Sequence, residues 1–94
     1  MAIGSSARRE ERRPQVENTF GSQTDRVLDL LELGDLAWHD CFDDDEIPPN
    51  LIDDIILCSE GDVAWAIHYV RLAILDWRDV KVSATHLRSK DEDG

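Results

Sequence analysis

The sequence predicts an all-α protein, a small bundle of three or four helices. Apolar residues recur with a period of about 3.6 across two long stretches, residues 27–42 and 63–77. A pair of prolines and a third, shorter apolar run separate these two stretches. With 94 residues, the chain has enough length for one small domain with a single core.

The first predicted helix covers residues 27–42, with an N-cap supplied by Thr24 and Asp25. On a helical wheel its apolar side chains occupy one half and its acidic side chains the other. Gly34 falls in the middle of the apolar half, where a glycine costs about 1 kcal/mol relative to alanine. We expect the helix to continue through Gly34, because the apolar stripe keeps its phase. The alternative is a break at Gly34, with Asp35 capping a second short helix.

The second predicted helix covers residues 49–58. It follows an acidic run at 43–46, whose charges oppose the negative end of the first helix dipole. The prolines at positions 48 and 49 suit the entry to a helix. Apolar residues in this segment are spaced i, i+1, i+4, i+5, which favours a helix over a strand.

The third predicted helix, residues 63–77, is apolar on both sides. Its main stripe comprises Val63, Ala66, Ile67, Val70, Ala73, Ile74 and Trp77. The other side also carries large apolar residues, and a helix of this kind is normally buried on both sides. The cover for the second side is either a fourth helix over residues 80–87 that folds back, or another chain. Residues 80–87 fit a short strand equally well.

We expect the two ends of the chain to be disordered. Residues 1–22 combine Gly, Ser, Pro and charge with almost no apolar periodicity, and residues 88–94 are nearly all polar. The predicted helical domain is therefore 23–87, between a disordered leader and a disordered tail.

The cysteines and the absence of long apolar runs indicate a cytoplasmic protein. Cys41 and Cys58 fit neither a disulfide framework nor a metal-ligand spacing, so we expect two buried free thiols. Free thiols suit a reducing compartment. The N-terminal residues lack the apolar segment of a secretory signal, and no apolar run approaches the roughly 20 residues that span a bilayer. No membrane partner is expected.

Charge is distributed very unevenly. The chain has 21 acidic and 10 basic residues, a formal net charge of −11, and residues 27–70 contain no Lys or Arg. Most carboxylates of this block are predicted to form an outer acidic face on the first two helices. They are Asp29, Glu32, Asp35, Asp40, Asp43, Asp44, Asp45, Asp53 and Asp54. Such a field attracts a basic protein surface and repels a phosphate backbone, so no direct nucleic-acid binding is expected.

A second predicted contact surface is the apolar side of the third helix. Its members are Trp65, His68, Leu72 and Leu75. Tryptophan is enriched at binding hot spots, and a histidine among these residues can make association sensitive to pH. A third surface, the four arginines within residues 8–13, suits acidic partners or RNA less well, because Glu10 and Glu11 cancel half of its charge.

Catalytic and metal-binding patterns are missing from the sequence. It contains no GxSxG, HExxH, P-loop or GxGxxG motif. His39 and Asp43 share a helix face, but the other potential ligands do not match a compact zinc site, and residues 43–46 lack the ligand pattern of an EF-hand. We therefore expect a protein that is not an enzyme and that needs no metal or cofactor.

The leading hypothesis is a small cytoplasmic regulator or inhibitor, a protein-binding module that docks on a basic protein surface. Mimicry of nucleic acid is one form this docking can take, because nucleic-acid-binding proteins present basic surfaces. The alternative is a homodimeric structural or assembly subunit, joined through the apolar side of the third helix.

Overall fold

The computed structural model describes residues 6–44 and 46–93, with side chains for residues 7–44 and 46–89. This part of the chain is helical throughout its regular structure and contains no strand, so the all-α prediction is confirmed. The elements are α1 (Ser6–Phe20), a 3₁₀ turn (Gly21–Gln23), α2 (Thr24–Phe42), α3 (Pro49–Ser59) and α4 (Val63–Asp93). The Cα radius of gyration is 12.8 Å, near the ~12 Å of a compact domain of this length.

Helix α1 lies where the sequence predicts a disordered leader. Val16 and Phe20 are buried and belong to the same core cluster as the apolar residues of α2, α3 and α4. They are four residues apart and so lie on one face of α1. Pro14 lies inside the helix. The prediction of disorder over residues 1–22 is therefore wrong for 6–20, and residues 1–5 lie outside the described part.

Helix α2 continues through Gly34, as expected. A Cβ atom at Gly34 would lie 2.9 Å from Ile47 Cδ1 and 3.0 Å from Val70 Cγ1. Glycine is needed here because α4 and the segment before α3 both approach the backbone of α2. Helix α2 ends at Phe42, and Asp43 is its C-cap. Asp43 has a positive φ of 60°, and its N–H donates to the carbonyl of His39 at 2.8 Å.

Helix α3 confirms the second predicted helix. Pro48 precedes it and Pro49 opens it, and its apolar residues Leu51, Ile52, Ile55 and Ile56 are all buried. The turn after α3 uses two positive φ values, at Glu60 (51°) and Gly61 (78°). A Cβ at Gly61 would lie 3.0 Å from the carbonyl oxygen of Thr19, so this turn packs tightly against the end of α1.

Helix α4 consists of two segments, because Asp76 leaves the helical conformation (φ −158°, ψ 90°). The Asp76 carboxylate accepts a hydrogen bond from the N–H of Arg78 at 3.2 Å and so caps the second segment. That segment, residues 77–93, folds back: Trp65 and His86 line one crevice, whereas a straight helix would separate them by about 30 Å. A helix over residues 80–87 is therefore observed, whereas a strand there and disorder over 88–93 are not. This helix does not fully cover the second apolar side of the first segment, because Trp65 is 52% and Leu75 71% exposed.

The core lies between these helices. Three residues that were predicted to be buried are exposed in the structure, namely Ile67, Trp77 and Cys41. Ala66, Val70 and Ala73 of the predicted main stripe are buried, but Ile67 is 51% exposed and Trp77 is also exposed. Both cysteines are free thiols, of which Cys58 is buried and Cys41 is exposed.

Candidate interaction surfaces

The acidic side of α2 is partly covered by the arginines of α1. The two helices run antiparallel, so Arg13 meets Asp25 and Arg9 meets Asp29 farther along α2. Arg9 Nη1 lies 2.7 Å from Asp29 Oδ1 and 3.3 Å from Glu32 Oε1. The hydrogen bond to Asp29 raises the pKa of Arg9 above its ordinary value. Helix α1 therefore neutralises part of the face that the sequence predicts to be free.

Asp35 is buried and belongs to an internal ion-pair network. Arg12, also buried, donates to its two carboxylate oxygens at 2.9 and 3.0 Å, and the N–H of Ile47 donates to Oδ1 at 3.0 Å. Arg8 lies 3.8 Å from the same carboxylate and 2.7 Å from Glu46. The prediction that Asp35 lies on the outer face is wrong, because α1 covers this side of α2.

Asp54 is also buried rather than exposed. Arg88 Nη2 lies 2.7 Å from its Oδ1 and Lys81 Nζ lies 3.4 Å from its Oδ2. Both partners come from the second segment of α4, which covers this side of α3. The prediction that Asp54 faces outward is therefore wrong, since the wheel of α3 alone does not include the helix that folds back over it.

Of the predicted acidic face, Asp29, Asp40, Asp43, Asp44 and Asp53 are exposed, and three of these five lie at the end of α2. These three are Asp40, Asp43 and Asp44, and Trp38 Nε1 donates to Asp44 at 3.4 Å. Asp53 on α3 is also exposed and accepts a hydrogen bond from the Gln15 amide at 2.7 Å. Asp45 lies outside the described residues.

The four residues of the predicted apolar side do not form one patch. Trp65 and His68 meet edge to face, with ring centroids 5.4 Å apart. Leu72 is partly buried and packs against the core. Leu75 lies ten residues after Trp65, about 15 Å along the helix, and lines a different depression beside α2.

This depression is an apolar groove between α2 and the first segment of α4, with a volume of about 330 Å³. It is lined by Leu30, Leu33, Gly34, Ala37, Ile67, Val70, Arg71, Ile74 and Leu75. Three of its large side chains are more than half exposed: Leu33 (65%), Ile67 (51%) and Leu75 (71%). Gly34 contributes only backbone to the lining, which allows the two walls to approach each other.

The α2–α4 groove was not predicted, because the wheel of α2 was interpreted as one buried half and one acidic half. Leu33 and Leu36 lie in the acidic half of this wheel, and both are exposed. These two leucines were the feature of the sequence that indicated an exposed apolar surface on α2. Ile67 was assigned to the core because its position on the helical wheel matches the buried stripe of α4.

Two further properties concern metals and membranes. Among residues 6–44 and 46–93, no three His, Cys, Asp or Glu side chains come together in an arrangement that can hold a metal ion. In the same part of the chain, no helix is both long enough and apolar enough to cross a bilayer.

Comparison with known proteins gives no relative. The chain matches no protein-family model, and neither the curated proteins nor the solved structures contain a significant match. Arguments about function therefore depend on the surfaces described above.

Proposed function

We propose that this chain is a protein-binding module that receives an amphipathic helix with one basic flank in the α2–α4 groove. The observation that supports this most is the exposure of Leu33, Ile67 and Leu75 on the two walls of one groove. Contiguous exposed apolar surface of this kind marks interaction sites. A helix laid between two helices buries such walls with apolar anchors spaced i, i+3/i+4, i+7.

The charge of the chain supports a basic partner over a second copy. At a formal net charge of −11, two copies repel each other, whereas a basic partner is attracted. Asp40 lies seven residues after Leu33, on the same face of α2, and places a carboxylate beside the groove. Arg71 is the charged residue of the lining and lies on the α4 wall. The basic flank of the partner then lies along α2 and its neutral or acidic flank along α4.

In this proposal the protein acts by occupying a partner's surface and not by catalysis. We therefore propose the role of a cytoplasmic regulator or inhibitor, because a partner helix that is bound in the groove cannot bind the partner's other ligands. Nucleic acid is one such ligand, since basic helices commonly bind phosphate. The exposed acids at the end of α2 add to the attraction, while Asp35 and Asp54 serve the fold.

The experiment uses two peptides of about 18 residues, each with leucine on one helical face. One carries lysine on the polar face and the other glutamate, and binding to the full chain is followed by fluorescence anisotropy at low and high salt. We expect the lysine peptide to bind, more weakly at high salt, and the glutamate peptide not to bind. Leu33→Ser and Leu75→Ser each remove apolar burial worth about 1.5–3 kcal/mol and should weaken binding at least tenfold.

Val82→Ser is the matched control, because Val82 is 68% exposed and lies outside the groove. It should leave the affinity unchanged. Two results would overturn the groove as the binding surface. One is a homodimer that dissociates in Leu33→Ser, which assigns the groove to a second copy. The other is lysine-peptide binding that survives both leucine substitutions but is lost in Asp40→Asn/Asp43→Asn, which assigns binding to the acidic residues alone.

A further inference from the structure

A second concave surface lies on the opposite side of α4, between its two segments and the end of α3. This crevice has a volume of about 510 Å³, within the roughly 300–1,000 Å³ of small-molecule sites. It is lined by Cys58, Glu60, Trp65, Tyr69, Val82, Ser83, His86 and Leu87. None of these residues lines the α2–α4 groove, so the two surfaces can be occupied independently.

One wall of the crevice is aromatic. The rings of Trp65 and Tyr69 lie one helical turn apart, with centroids 6.0 Å apart and planes inclined by 31°. His68 stands edge-on against both, at 5.4 Å from Trp65 and 5.1 Å from Tyr69. Trp65 is 52% exposed, so much of this large ring remains accessible.

One carboxylate lines the crevice, and the ion pair between Asp54 and Arg88 lies close enough for both charges to act on Cys58 in opposite directions. The lining carboxylate is that of Glu60 at the end of α3, which makes no ion pair with any residue whose side chain the structure describes. Cys58 contributes a neutral thiol, because burial raises the pKa of Cys58 above its ordinary value. Asp54 and Glu60 act on the thiol in the same direction. Val82 and Leu87 supply apolar surface on the facing wall.

These features together select one class of ligand. The faces of Trp and Tyr attract cations, most strongly those that are weakly hydrated, and quaternary ammonium groups are recognised in this way. Glu60, which has no ion-pair partner among the described side chains, supplies the counter-ion, and the apolar wall suits methyl groups better than a hydrated ammonium. We propose that the crevice binds a small quaternary ammonium compound, placed against Trp65 and Tyr69 with Glu60 as its counter-ion.

The test titrates the full chain with choline and, separately, with its neutral isostere 3,3-dimethylbutan-1-ol. The indole N–H signals of Trp38, Trp65 and Trp77 are followed by NMR. We expect choline to shift the Trp65 signal saturably and to leave Trp38 unaffected, since Trp38 is buried elsewhere. The isostere has the same shape without charge and should bind about tenfold more weakly, as expected for a cation–π contact supported by a carboxylate.

Two variants locate the binding energy. Glu60→Gln keeps the shape of the side chain and should weaken choline binding several-fold, whereas Asp79→Asn removes an exposed charge outside the crevice and should not. Trp65→Leu should abolish saturable binding, read from the backbone amides around Ser83, with circular dichroism to confirm the fold. Equal affinity for choline and the isostere, no saturable shift at Trp65, or equal effects of Glu60→Gln and Asp79→Asn would each overturn the proposal.

Discussion

Arg12 and Asp35 form a bidentate ion pair in which both side chains are buried, and this pair joins α1 to the middle of α2. The same carboxylate accepts the N–H of Ile47, so the segment before α3 is fixed at the same point. Arg8 and Glu46 extend the network toward solvent. A buried ion pair adds little net stability over an apolar pair, but it is costly to break. The network therefore fixes the position of α1 more than it strengthens the fold.

Breaking this pair should be severe. Asp35→Asn removes the charged bidentate partner of the buried Arg12 and leaves it only the partly exposed Glu46 at 3.7 Å, and we expect it to lower the free energy of unfolding by about 3 kcal/mol. The measurement is urea unfolding followed by circular dichroism. The double variant Arg12→Met/Asp35→Asn should cost less than Asp35→Asn alone, because no buried unpaired charge remains and the Asn amide oxygen still accepts the N–H of Ile47.

The exposed pair between Arg13 and Glu10 provides the comparison for the buried one. Its nitrogen and oxygen also lie 2.9 Å apart, but both side chains are in contact with solvent. Glu10→Gln should change the free energy of unfolding by less than about 1 kcal/mol. If Asp35→Asn cost no more than Glu10→Gln, the buried network would not exist as described.

Helix α1 should be required for folding, contrary to what its composition predicts. A chain beginning at residue 23 loses the buried Val16 and Phe20, uncovers the apolar residues packed against them, and removes Arg12 from Asp35. We expect this chain to show no cooperative thermal transition by circular dichroism. Adding a peptide of residues 6–22 should restore a transition, because α1 packs on α2 through specific contacts. A truncated chain that melts within a few degrees of the full chain would contradict this.

The reasons for missing α1 and for finding α2 and α3 are physical. Apolar periodicity reports burial by apolar contact, and α2 and α3 are buried in this way. Helix α1 has only Val16 and Phe20 in the core, and its other buried contact is made by Arg12. Whether an arginine or aspartate is buried depends on a partner distant in the sequence, as with Asp54 and Arg88. The wheel of α2 does place Asp35 within the apolar half, between Leu28 and Leu31, but neither composition nor a helical wheel identifies its partner.

The two candidate surfaces also depend on contacts between residues that are distant in the sequence. Trp65 was predicted to lie on a second apolar side of α4, off the main stripe, and it is 52% exposed in the structure. That it faces Ser83 and His86 could not be predicted, since this requires the reversal at Asp76. The α2–α4 groove likewise depends on how two helices approach each other at Gly34.

Gly34→Ala should destabilise the protein, although alanine is the better helix former. The added methyl group would meet Ile47 Cδ1 at 2.9 Å and Val70 Cγ1 at 3.0 Å. Overpacking of this kind costs about 1–3 kcal/mol, against about 1 kcal/mol gained in helix propensity. We expect a net loss of about 1 kcal/mol in urea unfolding, whereas Asp40→Ala, at an exposed position of the same helix, should not destabilise. Stabilisation by Gly34→Ala would mean that the helices are less closely packed at this point.

The two cysteines should differ in reactivity and in their effect on stability at high pH. Burial, reinforced by Asp54, raises the pKa of Cys58 above the ordinary 9.0 of a thiol. As pH rises, Cys58 in the unfolded chain loses its proton before Cys58 in the folded protein does. Its contribution to stability is therefore complete below about pH 9 and is lost as pH rises through the higher folded-state value.

Urea unfolding between pH 7 and pH 10.5 measures this effect as a difference between variants. Stability should fall less with pH in Cys58→Ala than in Cys41→Ala, because Cys41 is exposed. Iodoacetamide should modify Cys41 well before Cys58 in the folded protein, since Cys41 is exposed whereas Cys58 is almost fully buried and its raised pKa leaves less thiolate to react. Equal alkylation rates, or equal pH dependence in the two variants, would show that α3 and the second segment of α4 do not enclose Cys58.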